Sequence, residues 1–134
     1  MEAKIKHLEF IQSAISRMAT NSFLFKGWAI TIASSLSAFA AVDRRRAVLL
    51  IALVSSAMFW ALDGYYLMLE KLFRELYVDV AEKTESAIDF SMGIKEDRRF
   101  KKWLSICLCR PHLWAFYGSI IVIEVLGIIF IRRP

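Results

Sequence analysis

The sequence predicts an all-α membrane protein with three transmembrane helices, on three observations. The 134 residues are 57% hydrophobic, with a mean hydropathy of +0.47, and still 23% charged. Only 5 Gly and 2 Pro interrupt the chain, too few for the turns of a sandwich or barrel. The apolar residues fall into three blocks of about 20 residues, the length that crosses a bilayer as a helix. A chain of this size is a single domain, 1–134.

The first element is an amphipathic helix over 1–21. Ile5, Leu8, Ile11, Ile15 and Met18 recur at three and four residues, the spacing of one helix face. It ends at Asn21-Ser22, either of which can cap the helix that follows. A cleavable signal peptide is not expected, because the apolar block starts too late. The first span covers 23–42 and is broken only by Lys26. Asp43-Arg44-Arg45-Arg46 forms the turn to the second span, 47–69, which is broken by Asp63. Tyr66, Leu69, Phe73, Leu76 and Val80 carry its stripe onward, so one helix is expected to run to about residue 87. Glu70 with Arg74, and Lys71 with Glu75, are spaced to pair on its wet face. The stripe serves either as a face for the N-terminal helix or as a seam between subunits.

Residues 88–93 read as a turn. The basic amphipathic segment 94–110 follows, with Phe100, Trp103, Leu104 and Cys107 on one face. Pro111 suits the first turn of the third span, 111–131, which is broken by Glu124. Most of the 18 basic residues fall on the side shared by the N-terminus and the second connection. The positive-inside rule makes that side cytoplasmic and puts the C-terminus in the periplasm.

Lys26 and Asp63 stand at equal distances from the centre of the arginine turn. In an antiparallel hairpin they share a depth, and opposite charges there offset the cost of placing each in the apolar layer. The pair is read as structural or as part of a gate; alternatively each chain snorkels to the interface. Glu124 has no basic residue at its depth, but Ser34, Ser35, Ser37, Ser55 and Ser56 are near it. Either it joins a ring of carboxylates lining a pore between copies, or a serine bonds it and it locks the helices, or the span is shifted and it nears the interface. Gly27, Thr31, Ser34, Ser35 and Ala38 form a small, hydroxyl-bearing face that suits close helix packing or a water-lined path.

Lys95, Arg98, Arg99, Lys101, Lys102, Trp103 and Arg110 form a basic patch with three readings. It binds anionic lipid headgroups, contacts a protein partner, or captures a nucleotide or oligonucleotide by pairing phosphate with cations and stacking a base. Double-stranded nucleic acid is not expected. Cys107 and Cys109 lie too close together to bridge readily, and no four-ligand metal set accompanies them. No phosphate loop, nucleophile elbow or zinc-protease motif occurs, so neither an enzyme nor a cofactor is expected.

Three sets of strings carry a resemblance. They are Arg17-Met18-Ala19-Thr20-Asn21-Ser22-Phe23 with Lys26-Gly27-Trp28, Leu62-Asp63-Gly64-Tyr65-Tyr66-Leu67 with Phe73-Arg74-Glu75-Leu76-Tyr77, and Ile88-Asp89-Phe90-Ser91-Met92. Through them the chain resembles a group of small bacterial inner-membrane proteins over nearly its full length. It also has the look of small membrane effectors of anti-phage systems, such as the Hailong-type channels. The resemblance implies a membrane-permeabilising homo-oligomer under control of a cytoplasmic protein or nucleotide signal. The competing expectations are a non-conducting adaptor that anchors a soluble partner, and a holin-like pore.

Overall fold

The structure is a computed structural model that describes residues 2–94 and 99–131. Helix α1 runs Glu2–Asp43, α2 Arg46–Glu82, α3 Arg99–Cys109 and α4 Pro111–Phe130. Among the described residues the regular structure is all helical, and α1, α2 and α4 are each long and apolar enough to cross a membrane. The helices α1 and α2 make an antiparallel hairpin, α4 packs on α2 and more lightly on α1, and α3 lies against α2.

The N-terminal helix and first span are one helix of 42 residues, about 63 Å long. This corrects the expected break at Asn21-Ser22. No Gly or Pro lies between Glu2 and Lys26, and Asn and Ser only weaken a helix slightly. The Ser22 hydroxyl, the group that would have capped a new helix, is donated across to Asp63 instead. The buried face of the extension is also turned from the expected stripe. His7, Ile11, Ala14 and Ile15 are buried, whereas Ile5 is exposed.

Arg44 and Arg45 link α1 to α2, with Arg44 in the left-handed region at φ 51°. The helix α2 begins one residue before its expected start and ends at Glu82, short of residue 87. Lys4 explains that end, because its ammonium donates to the carbonyls of Ala81 and Lys83 at 2.6 and 2.9 Å. A cation there satisfies carbonyls that lack helical partners and complements the negative end of the helix. One 3-10 turn, Glu85–Ala87, follows.

The stripe on α2 is used inside the protomer. Val80, Phe73, Leu76 and Tyr77 pack on Ile11, Ile15 and Leu8 of α1. Glu70 pairs with Arg74 at 2.8 Å as spaced. Glu75 is taken by Lys102 of α3 at 2.6 Å, in place of Lys71.

Residues 88–93 fold back on α1. The backbone carbonyl of Ser91 lies 3.2 Å from His7 Nε2, and Phe90 packs on the same ring at 5.4 Å. The Ser91 amide donates to Asp89 Oδ1 at 3.2 Å. That bond, and after it the Lys83 ammonium, holds the Asp89 carboxyl below its ordinary value despite a desolvation cost. A lowered native pKa stabilises the loop above the unfolded value and ceases to do so as pH falls through the native one. Protection of the Ser91 amide against hydrogen exchange, relative to its intrinsic rate at each pH, should therefore fall as pH drops through and below the usual carboxylate range. Protection that stays level across that range would show the Asp89 bond to be idle.

Candidate functional site

All four helices meet at one carboxylate. Asp63 of α2 is fully buried, and Lys26 and Ser22 of α1 reach it. Lys26 and Ser22 are four residues apart, so a continuous α1 puts both on one face. The Lys26 ammonium stands 2.6 Å from Asp63 Oδ2 and donates to Ser22 Oγ at 3.0 Å. Ser22 in turn donates to Asp63 Oδ1. The Cys107 thiol of α3 and the buried Tyr117 hydroxyl of α4 are within electrostatic reach of the same carboxylate.

The pairing expected of Lys26 and Asp63 is thus made within one protomer. The other members escape sequence reasoning, since Ser22 reads as a cap and Tyr117 as one aromatic of a span. The four-residue step from Ser22 to Lys26 is the available signal.

Helix α3 is held to this node by close packing. Gly64 faces the Cys107 thiol so closely that a Cβ there would stand 2.3 Å from Sγ. The Trp103 indole donates to the Ala61 carbonyl at 3.0 Å. Burial, and secondarily the charge of Asp63, pushes the Cys107 thiol up, while Cys109 is exposed. A maleimide should therefore modify Cys109 rapidly and Cys107 slowly in the folded protein. Equal rates, read by intact mass, would mean that α3 is not docked as described.

A second polar contact lies seven residues further along both α2 and α4, about 10 Å away. Ser56 Oγ of α2 donates to Glu124 Oε1 of α4 at 2.9 Å. Glu124 is 1% exposed. The protomer therefore places this carboxyl between its own helices, bonded by a serine.

The other hydroxyls behave differently. Thr31, Ser35 and Ser55 donate back to the carbonyls of Gly27, Thr31 and Ile51. Gly27, Thr31, Ser34, Ser35 and Ala38 all lie on the outside of the protomer.

The basic patch is only partly gathered. Lys95 and Arg98 lie outside the described residues. Arg99 donates to the Ile94 carbonyl at 3.3 Å, Lys102 is paired with Glu75, and Lys101 is exposed. Arg110 sits between α3 and α4, near Glu70, Lys71 and Arg74.

Trp103 faces α2, which corrects the expected shared face of α3. The buried side is Trp103, Ile106 and Cys107, and the outward side is Phe100, Leu104 and Leu108. Tertiary packing thus leaves the Trp103 ring largely taken and Phe100 open.

The fold and this buried polar pair of layers fit an all-helical, multi-pass membrane protein. No family model matches the chain, and no curated protein or solved structure matches it.

Proposed function

We propose that the chain is the protomer of a homo-oligomeric bacterial inner-membrane channel or permeabilising effector. Its N-terminus is cytoplasmic and its C-terminus periplasmic. The observation that carries this reading is the outward face of α1. Gly27, Thr31, Ser34, Ser35 and Ala38 lie exposed along a span, and a Gly27 Cβ would meet no atom within 4 Å. Small residues on a span permit close approach of a second helix. Three spans around a filled core enclose no path, so conduction requires several copies.

Helices α1 and α2 run unbroken from the spans into the extension. A cytoplasmic protein or nucleotide signal that tilts the extension therefore tilts the spans with it. Phe100, Leu104 and Leu108 beside Lys101 suit α3 to anionic headgroups. The role in anti-phage defence rests on the resemblance of the strings around Ser22, Asp63 and Ser91.

A non-conducting adaptor is the second reading. Ile5, Phe10 and Val78 favour it, as exposed apolar residues on the extension that a soluble partner would cover.

Single cysteines placed at Thr31 or Ala38, with Cys109→Ser, test the assembly. They should cross-link between copies in membranes, while one at the outward Val54 on α2 should do so far less. Mass measurement in detergent should give several copies, and liposomes should pass ions. A protomer that stays monomeric overturns the channel, and an oligomer silent with every trigger selects the adaptor.

A further inference from the structure

Between α1 and α4, next to Glu124, lies a cleft of about 240 Å³ whose polar lining is Ser34, Ser37, Ser119 and Glu124. We propose that this cleft is a site for a monovalent hard cation, sodium above all, with Glu124 Oε2 and the Ser34 and Ser37 hydroxyls as its protein ligands. The inference goes beyond the assembly reading, because it concerns a cleft formed by α1 and α4 of one protomer, buried at Glu124 and open at Ser34, and holds whether or not the protomers conduct.

Three observations converge on it. Ser56 occupies Oε1 of the carboxyl at 2.9 Å, while Oε2, buried with the rest of the side chain, has no hydrogen-bond partner. A buried carboxyl oxygen left without a partner is costly, more so in a membrane. Next, Ser34 and Ser37 differ from the other serine and threonine hydroxyls of the spans. Thr31, Ser35, Ser55 and Ser119 each return a hydrogen bond to a backbone carbonyl. Ser34 and Ser37 make none among the described residues, and both line the cleft. Finally, a second cleft of about 430 Å³ shares Ser37 and Ile123 with the first and leads to Arg44 at the end of the hairpin. The two clefts thus adjoin at Ser37 and Ile123.

The donor set selects the ion. Carboxylate and hydroxyl oxygens are hard ligands that suit alkali and alkaline-earth ions rather than soft metals. A single carboxylate neutralises a single positive charge, so sodium leaves the buried Glu124 neutralised and calcium would leave a net charge beside it. Arg44 at the outer end weighs further against a divalent ion. Lys26 is not a competitor, since Asp63 holds it in the other polar layer.

Carbodiimide labelling of the full chain in detergent tests the proposal. A carbodiimide adds to a buried protonated carboxyl and leaves a stable mass increment, and the modified peptide reports Glu124. At fixed pH and ionic strength, sodium chloride should suppress labelling relative to choline chloride. The drop should be about tenfold once sodium exceeds its Kd tenfold. The S34A/S37A variant should label as readily in choline and lose the protection by sodium. Glu124→Gln should take no label at that peptide.

Labelling that ignores sodium and follows pH alone would reduce Glu124 to a proton-binding carboxyl and overturn the site. Sodium protection that survives in S34A/S37A would remove the two serines as ligands and overturn it equally. A carboxyl that never labels is sealed from the cleft, with the same consequence. None of these readouts is a flux, and because Ser34 also lies on the outward face of α1, S34A/S37A is compared with wild type at equal mass in detergent, so a failed channel reading stays distinguishable.

Discussion

Lys26→Ala should destabilise the protein by about 3–5 kcal/mol, and Asp63→Ala by clearly less. Asp63 has a fully buried side chain, whereas that of Lys26 is 27% exposed. Removing the lysine strands a carboxylate among four helices, with Ser22 as its remaining close donor. Removing the aspartate leaves an ammonium that can swing toward water on its flexible stem. The double change should cost less than the sum of the two, because no buried charge is left unpaired. Unfolding of the three variants in detergent, with folded fraction read by size exclusion, gives the cycle. Equal single losses would contradict the asymmetric burial, and full additivity would contradict the pairing.

Gly64→Ala should cost about 1–3 kcal/mol by overpacking the contact between α2 and α3. The new methyl would sit 2.3 Å from the Cys107 sulfur, so α3 must move or the thiol must rotate within a packed site. The remaining neighbours, Trp103 Nε1 and Cys107 Cβ, would be at 3.6 and 3.7 Å, which is ordinary contact. Adding Cys107→Ala should therefore restore most of the loss. Thermal unfolding of the two single variants and the pair decides the matter. A double variant no more stable than Gly64→Ala alone would place the strain elsewhere. The effect also bears on function, since Gly64 adjoins Asp63 and a displaced α3 would uncover that carboxylate.

Depth along the helices is legible in the residue order itself. Helical rise is nearly constant, so equal distance from the arginine turn puts Lys26 and Asp63 at one level. The same counting brings five serines to the level of Glu124, but it does not choose among them. That choice depends on rotation about the helix axis, which neighbouring helices set. Ser56 faces α4, while Ser55, one residue away, points elsewhere and bonds back to Ile51. The Trp103 ring turns inward for the same reason.

The sequence by itself determined the number of helices long and apolar enough to cross a membrane, the hairpin turn and the levels of the charged residues. These follow from local quantities: the length of each apolar block, the helical period and the position of the turn. Tertiary structure alone decided that α1 passes unbroken through Asn21-Ser22, that Tyr117 and Cys107 join Asp63, and that Lys4 ends α2. Ser22 and Lys4 each had a local partner or water open to them and took a distant partner, and packing alone brings Tyr117 and Cys107 near Asp63. Local pattern cannot weigh that competition, because its outcome depends on which groups tertiary packing brings within hydrogen-bond reach of one another.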